Sequence, residues 1–269
     1  MKNYSYLRHW VDALPKTGRS SFSLEDARTQ FPDVSDVNMR NALYGLSMAG
    51  KVRSVWRGFY AIVLPEYGFE GNVPPVEYIN QLMTYIKADY YVALLSAASY
   101  QGASHQSPQV FQVMSNKHMR SKNASGSRLD FIFKKNMPAS CIDQKVVNSG
   151  HINVSAPALT ALDLVRYPLR SGGVSRVAAV LSELIDSIDF DILNADLLRN
   201  ESRVAVQRLG YLLEGTLGEV ELAQSLYEKS AEAGLSFSRA NLVNGDTKQK
   251  LGYDGKWKIV VNYDVEVDE

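Results

Sequence analysis

Four side chains suited to reading DNA recur at helical spacing near the amino end: Asn38, Arg40, Asn41 and Tyr44. Arginine offers a planar fork to guanine O6 and N7, asparagine pairs in the same bidentate manner with adenine N6 and N7, and all four side chains can also bond phosphate oxygens. A face that only meets solvent more often carries Glu and Lys. Downstream, Arg53, Trp56 and Arg57 crowd a short segment around Gly58, a cationic and aromatic tip able to touch the phosphate backbone or the minor groove. The alternative occupant of such a surface is another protein.

Other residues of catalytic type are less well arranged. Asp130 is followed, after twelve intervening residues, by Asp143-Gln144-Lys145, the spacing of two acids and a lysine that hold Mg²⁺ and activate water in many nucleases. The proline that often precedes the first acid is missing, and surface carboxylates on strand edges produce the same pattern. Asp189-Phe190-Asp191 has the period two that sets both carboxylates on one strand face, as in nucleotidyltransferases. Gly172-Gly173 lies too far ahead to grip a phosphate there, and Asp189 is expected instead to start the helix that follows. His9 lies within a predicted amphipathic helix and is expected as a surface or boundary residue rather than a ligand. His105, His118 and His151 stand in separate polar stretches with no Cys partner and no His-x-x-x-His spacing, so no metal is expected. Cys141, the single cysteine, reads as a small buried residue. Neither a G-x-S-x-G elbow nor a Gly-rich lysine loop occurs; no catalytic residue and no cofactor are expected.

The elements that must position the DNA-reading residues are signalled locally. Ser35 can cap the helix from Asp36 onward, and Asp36 suits the positive helix end. Met39, Ala42, Leu43 and Leu46 form the stripe that seats this helix on a core. Gly50 is placed to end it, and Lys51 neutralises the negative terminus. Val52 to Val55 and Phe59 to Val63 are strand-like and flank Trp56-Arg57-Gly58, a turn of hairpin length. Upstream, Tyr6, Leu7, Trp10, Val11 and Leu14 make one amphipathic helix, and Ser23 with Asp26 starts a second through a capping box. Helix, helix, helix, ribbon is the order of a winged helix-turn-helix.

The formal net charge of zero conceals an asymmetry. Residues 1–65 hold nine basic and five acidic side chains, and the remainder twenty and twenty-four. A positive amino end would hold phosphates in a salt-dependent manner. With 269 residues and 45% hydrophobic content, about two domains are expected. Pro65 to Pro75 holds three prolines and two glycines, which predicts a linker between a DNA-binding domain at 1–65 and a larger domain at 76–269. No apolar run reaches the ~20 residues of a membrane span. No export signal opens the chain, and the cytoplasm is the expected location.

The second domain reads as mixed. Val76 to Ala88 predicts a helix and Asp89 to Tyr100 a helix or a strand-to-helix passage. Gln109 to Met114 and Arg128 to Phe133 predict strands joined by a polar hairpin loop, Ser121 to Ser127. Helices are expected over 158–166, 174–188, 190–199, 201–213 and 220–231, and a strand after the Asp254-Gly255 turn. The fold class is α+β: an N-terminal winged helix-turn-helix followed by a larger mixed α+β domain.

Four stretches resemble a known family. They are Arg57-Gly58-Phe59-Tyr60-Ala61-Ile62; Tyr90-Tyr91-Val92-Ala93-Leu94-Leu95-Ser96-Ala97-Ala98 with Gly102 and His105; Val154 to Val165; and the Trp257 to Asn262 strand. Together, in this order, they resemble the AbiEi antitoxins of bacterial abortive-infection toxin–antitoxin pairs. The resemblance implies a winged helix that represses its own operon by binding promoter DNA, fused to a domain that counteracts a nucleotidyltransferase toxin in phage defence. It supplies no catalytic residues. The family often has Glu-Arg-Thr before its Leu-x-Asp, whereas Ala158-Leu159-Thr160 precedes Leu162-Asp163 here. Residues 155–166 would then contact the toxin, organise the domain or simply fill its core. The expected partners are operator DNA and a cognate nucleotidyltransferase toxin, with no membrane. The alternatives are a repressor whose C-terminal domain senses a ligand, and a metal-dependent nuclease using Asp130, Asp143 and Lys145.

Overall fold

The computed structural model describes residues 2–68, 71–103, 109–245 and 250–267. His105 and the linker residues Phe69 and Glu70 lie outside the described residues. The chain divides into two compact units. One gathers Met1–Val92, Gln109–Met137 and Gln144–Asn153; the other gathers Ala93–Pro108, Pro138–Asp143 and Val154–Glu269.

The first unit opens with α1 (Lys2–Ala13), β1 (Ser21–Ser23), α2 (Leu24–Gln30), α3 (Asp36–Met48), β2 (Val52–Trp56) and β3 (Phe59–Ile62). The three strands form an antiparallel sheet in the order β1-β3-β2. Short-range chemistry sets the helix ends. The Ser23 hydroxyl accepts from the Asp26 amide while the Asp26 carboxylate accepts from the Ser23 amide, a complete capping box. Ser35 accepts from the Asn38 amide, and Gly50, at φ +69°, takes the left-handed conformation that lets the chain leave α3. Leu7, Val11, Phe22, Met39, Leu43, Leu46, Val52 and Ile62 close one core, with Trp10 edge-on to Phe22 and Phe31.

Two single-turn helices at Pro65–Tyr67 and Pro75–Glu77 precede α4 (Ile79–Ile86) and β4 (Tyr90–Val92). Then come α5 (Leu94–Tyr100), β5 (Val110–Ser115), β6 (Lys122–Ala124), β7 (Ser127–Phe133), β8 (Ile142–Val147) and β9 (Gly150–Ser155). The six strands among these order as β6-β7-β5-β4-β9-β8. The hairpin expected between β5 and β7 is corrected: the two strands run parallel, Val110 opposite Arg128 through Ser115 opposite Phe133, and parallel neighbours need a crossover rather than a tight turn. The polar stretch instead contains β6, which returns antiparallel on β7 through Ser125 and Gly126.

The second unit is mainly helical: α5, α6 (Pro157–Arg166), α7 (Val174–Leu184), α8 (Ala195–Asn200), α9 (Arg203–Tyr211) and α10 (Val220–Glu232). α9 runs on into a π-helical turn, Leu212–Thr216. α6 packs against α5, α7 and α9. A small sheet, β10 (Ala240–Asn241), β12 (Ile259–Val261) and β11 (Gly252–Asp254), completes the unit. Trp257 is fully buried against Tyr227 and Phe237 and donates its indole N–H to Glu214 at 2.7 Å. The fold class is α+β, as expected.

Candidate nucleic-acid interface

The amphipathic spacing of α3 is realised. Met39, Ala42, Leu43 and Leu46 are buried, while Asn38, Arg40, Asn41 and Tyr44 are exposed together on the same helix. Tyr44 is 68% and Met48 71% exposed. Gly45, one turn after Asn41, lies at the edge of this face, where a Cβ would stand 2.9 Å from the Tyr4 ring of α1, so a larger residue would have to displace that ring. Arg40 donates Nε–H to the Asp36 carbonyl at 3.3 Å, and its terminal amino groups have no partner among the described residues. Asp36 pairs with Arg28 at 2.8 Å.

The ribbon divides its three candidates. Arg57 is exposed; its carbonyl accepts from the Tyr85 hydroxyl at 3.2 Å, and its guanidinium has no partner among the described residues. Arg53 is half-buried, donating to the carbonyls of Gly71 at 3.0 Å and Ser47 at 3.4 Å. Trp56 stands edge-on to Phe131 at 6.0 Å, with the Lys122 ammonium 5.0 Å from its ring centre. Desolvation lowers the pKa of that lysine. Arg53 and Trp56 therefore stabilise the first unit internally, a role that requires partners 18 and 75 residues further along.

In the second unit, α6 is buried along its whole length from Ala158 to Val165, so the residues of this resembling stretch fill the core rather than present a face. Its start carries a polar cluster: the Ser155 and Thr160 hydroxyls lie 2.7 Å apart, and Gln101 donates to Thr160 Oγ1 at 3.0 Å. At its end Arg166 pairs with Glu201 at 2.9 Å. Beyond it opens a cavity of about 390 Å³ walled by Tyr167, Leu169, Val174, Val243 and Tyr263, with Arg170 and Asn244 as polar neighbours. Tyr90 and Tyr91 are buried, and Tyr100 is partly exposed.

Asp130, Asp189 and Asp191 have structural partners. Asp130 is buried on β7 and accepts from the Ser121 hydroxyl, and Asp143 is exposed on β8. Asp189 caps the turn Phe190–Ile192, accepting from the Asp191 amide at 2.8 Å, while Asp191 pairs with Lys229 at 3.0 Å. His118 stacks on Phe133 at 3.7 Å. Among the described residues no three His, Cys, Asp or Glu side chains converge to hold a metal ion, and no helix is long and apolar enough to cross a membrane.

The fold is similar to that in the crystal structure of the RV2827C protein from Mycobacterium tuberculosis, at 15% identity and a TM-score of 0.68 over 95% of this chain and 91% of that one. A nucleotidyltransferase-like antigenic protein from Paracoccidioides brasiliensis superposes over 58% of this chain and 93% of its own, at 11% identity. Its TM-score of 0.38 is too low to indicate a shared fold. No curated protein matches the sequence. Residues 91–215, however, match the model of the AbiEi antitoxin C-terminal domain, a span that begins in β4 and takes in the buried α6. Over that span, a little under half of the chain, the sequence is similar to the C-terminal domain of the AbiEi antitoxins.

Proposed function

We propose that the chain is an antitoxin that counteracts a nucleotidyltransferase-type toxin, and that residues 1–65 form a winged helix-turn-helix binding the promoter of its own operon. The match over residues 91–215 carries the antitoxin half of this reading. The exposed face of α3 supports the DNA half. In this reading Asn38, Arg40, Asn41 and Tyr44 enter the major groove and Arg57 reaches the backbone or minor groove from the wing, while Arg53 and Trp56 hold the wing in place. The test is paired. Co-expression with a nucleotidyltransferase encoded beside this gene should restore growth, and purified full chain should retard promoter DNA with an affinity that falls as salt rises. Persistent toxicity sinks the first half; salt-independent or absent retardation sinks the second.

One observation favours a variant in which the C-terminal domain also senses a ligand: the cavity of about 390 Å³ in the second unit falls in the size range of small-molecule sites and is mostly apolar. Leu169→Trp at its rim would then change promoter affinity in extracts containing the ligand, and leave it unchanged for the purified protein.

A further inference from the structure

The outer face of α3 holds more than the polar groups named so far. At ~100° per residue, Val37 and Met48 fall on its centre line, with Asn41 and Tyr44 to either side and Asn38 and Arg40 at the two flanks. All six are exposed, Val37 by 63% and Met48 by 71%. They lie opposite the buried stripe of Met39, Ala42, Leu43 and Leu46, so neither Val37 nor Met48 belongs to the core. Single exposed apolar side chains are ordinary. Val37, Tyr44 and Met48 on one strip, ~16 Å long at 1.5 Å per residue, make a surface.

Asn41 decides between the partners such a strip could have. Val37, Asn41, Tyr44 and Met48 follow the spacing of a helix seated in an apolar protein groove, but there the Asn41 amide would be buried without partners, at a cost that a docking helix avoids. The major groove of DNA suits both the amide and its apolar neighbours. Adenine presents N7 and the N6 amino group, which a side-chain amide bonds as a pair, and thymine presents a C5-methyl group for apolar contact. Phosphates on either side suit the excess of basic over acidic residues in 1–65 and the terminal amino groups of Arg40, which have no partner among the described residues.

We infer that Val37 and Met48, with the Tyr44 ring, cover thymine methyl groups beside an adenine bonded by Asn41, so that the site read by α3 is rich in A·T pairs over about five base-pair steps of ~3.4 Å. This rests on the DNA-binding reading above and adds two residues to it. The test requires no knowledge of the operator. DNA from immediately upstream of the gene is amplified once with thymidine triphosphate and once with deoxyuridine triphosphate, which replaces the thymine methyls by hydrogen and keeps the base pairing. With random-sequence competitor present, the full chain should bind the uracil fragment at least about fourfold more weakly, roughly the factor that burial of one methyl contributes. The double variant Val37→Ala, Met48→Ala, changed only at exposed helical positions, should melt no lower than the parent and bind the two fragments with nearly equal affinity. Arg57→Ala should bind both more weakly and keep the parent's ratio. Equal retardation of the two fragments by the parent overturns the inference and leaves the DNA-binding reading standing. An unchanged ratio in the double variant does the same, since it traces the effect to the shape of uracil-containing DNA. If the double variant changes the sedimentation mass of the protein without DNA, the strip is a contact between copies of the chain, and the inference is again overturned. Retardation of neither fragment by the parent removes the DNA-binding reading itself, and this inference with it.

Discussion

Arg40 and Arg57 differ in what their loss should do. Arg40 lies among amide and phenol groups on a helix face, so Arg40→Ala should cost about 1–3 kcal/mol at one operator position and relax the base preference there. Arg57 stands at a turn, and Arg57→Ala should weaken binding to every sequence and lower the salt slope by ~1. Titrations of both variants against permuted operators at several salt concentrations separate the two; equal retention by both would refute the assignment. Glu214 gives a prediction of another kind. Its hydrogen bond with the Lys256 ammonium, at 2.9 Å, and that from the Trp257 indole hold its carboxyl below the usual glutamate range despite partial burial. A depressed folded-state pKa contributes stability that is complete above the unfolded value near 4.3 and is lost as pH falls through the folded value. The melting temperatures of parent and Glu214→Gln should thus differ at neutral pH and converge in acid. The exposure of the α3 residues was legible because their spacing is local. The packed settings of Arg53 and Trp56 were not, because a guanidinium half-buried by a glycine carbonyl and an indole set on Phe131 have the same one-letter code as groups that reach for phosphate.

Among the elements, those governed by neighbouring residues were readable in advance. The capping box at Ser23, the cap at Ser35 and the exit at Gly50 each involve atoms within a few residues of one another. Most of the helices expected after residue 158 appear, although the one expected over 190–199 divides into a single turn, Phe190–Ile192, and α8. β1 is three residues long, too short for any periodicity, and β8 is an outer strand whose Asp143, Gln144 and Val146 are exposed, so neither produces an apolar alternation. The parallel pairing of β5 with β7 depends on contacts the intervening polar loop does not reveal. The junction of α9 with Trp257 is equally invisible in sequence and yields a sharp test. A Cβ on Gly210 would fall 2.2–2.3 Å from three atoms of the Trp257 ring, which is itself enclosed and has nowhere to go. Gly210→Ala should cost at least the ~1–3 kcal/mol typical of overpacking, read as a lower denaturant midpoint, whereas Gly218→Ala, with open space around it but a positive φ, should cost less. Equal midpoints for Gly210→Ala and the parent would mean that the close contact does not exist.

For the molecule as a whole, neither unit is one uninterrupted stretch of chain. The second unit needs Ala93–Pro108 and Pro138–Asp143 in addition to Val154–Glu269, and α5, from the first of these, packs on α6. A fragment of residues 154–269 would expose the α5-facing side of a helix that is otherwise buried throughout. It should therefore show no cooperative thermal transition, while a fragment beginning at residue 76 retains these pieces and should show one. Calorimetry of the two fragments decides the matter; a sharp transition in the shorter one would mean that α5 is dispensable.

Cys141 lies within the second of those short pieces, wholly enclosed, its thiol directed to the Ile192 carbonyl at 3.5 Å. Since no other cysteine exists in the sequence, the wild-type polypeptide carries a built-in clock. A maleimide can react only when the surrounding layer momentarily parts, so the alkylation rate under native conditions counts those excursions without any engineered label. A bound partner that holds the layer shut would slow the clock, and the slowing would report its grip.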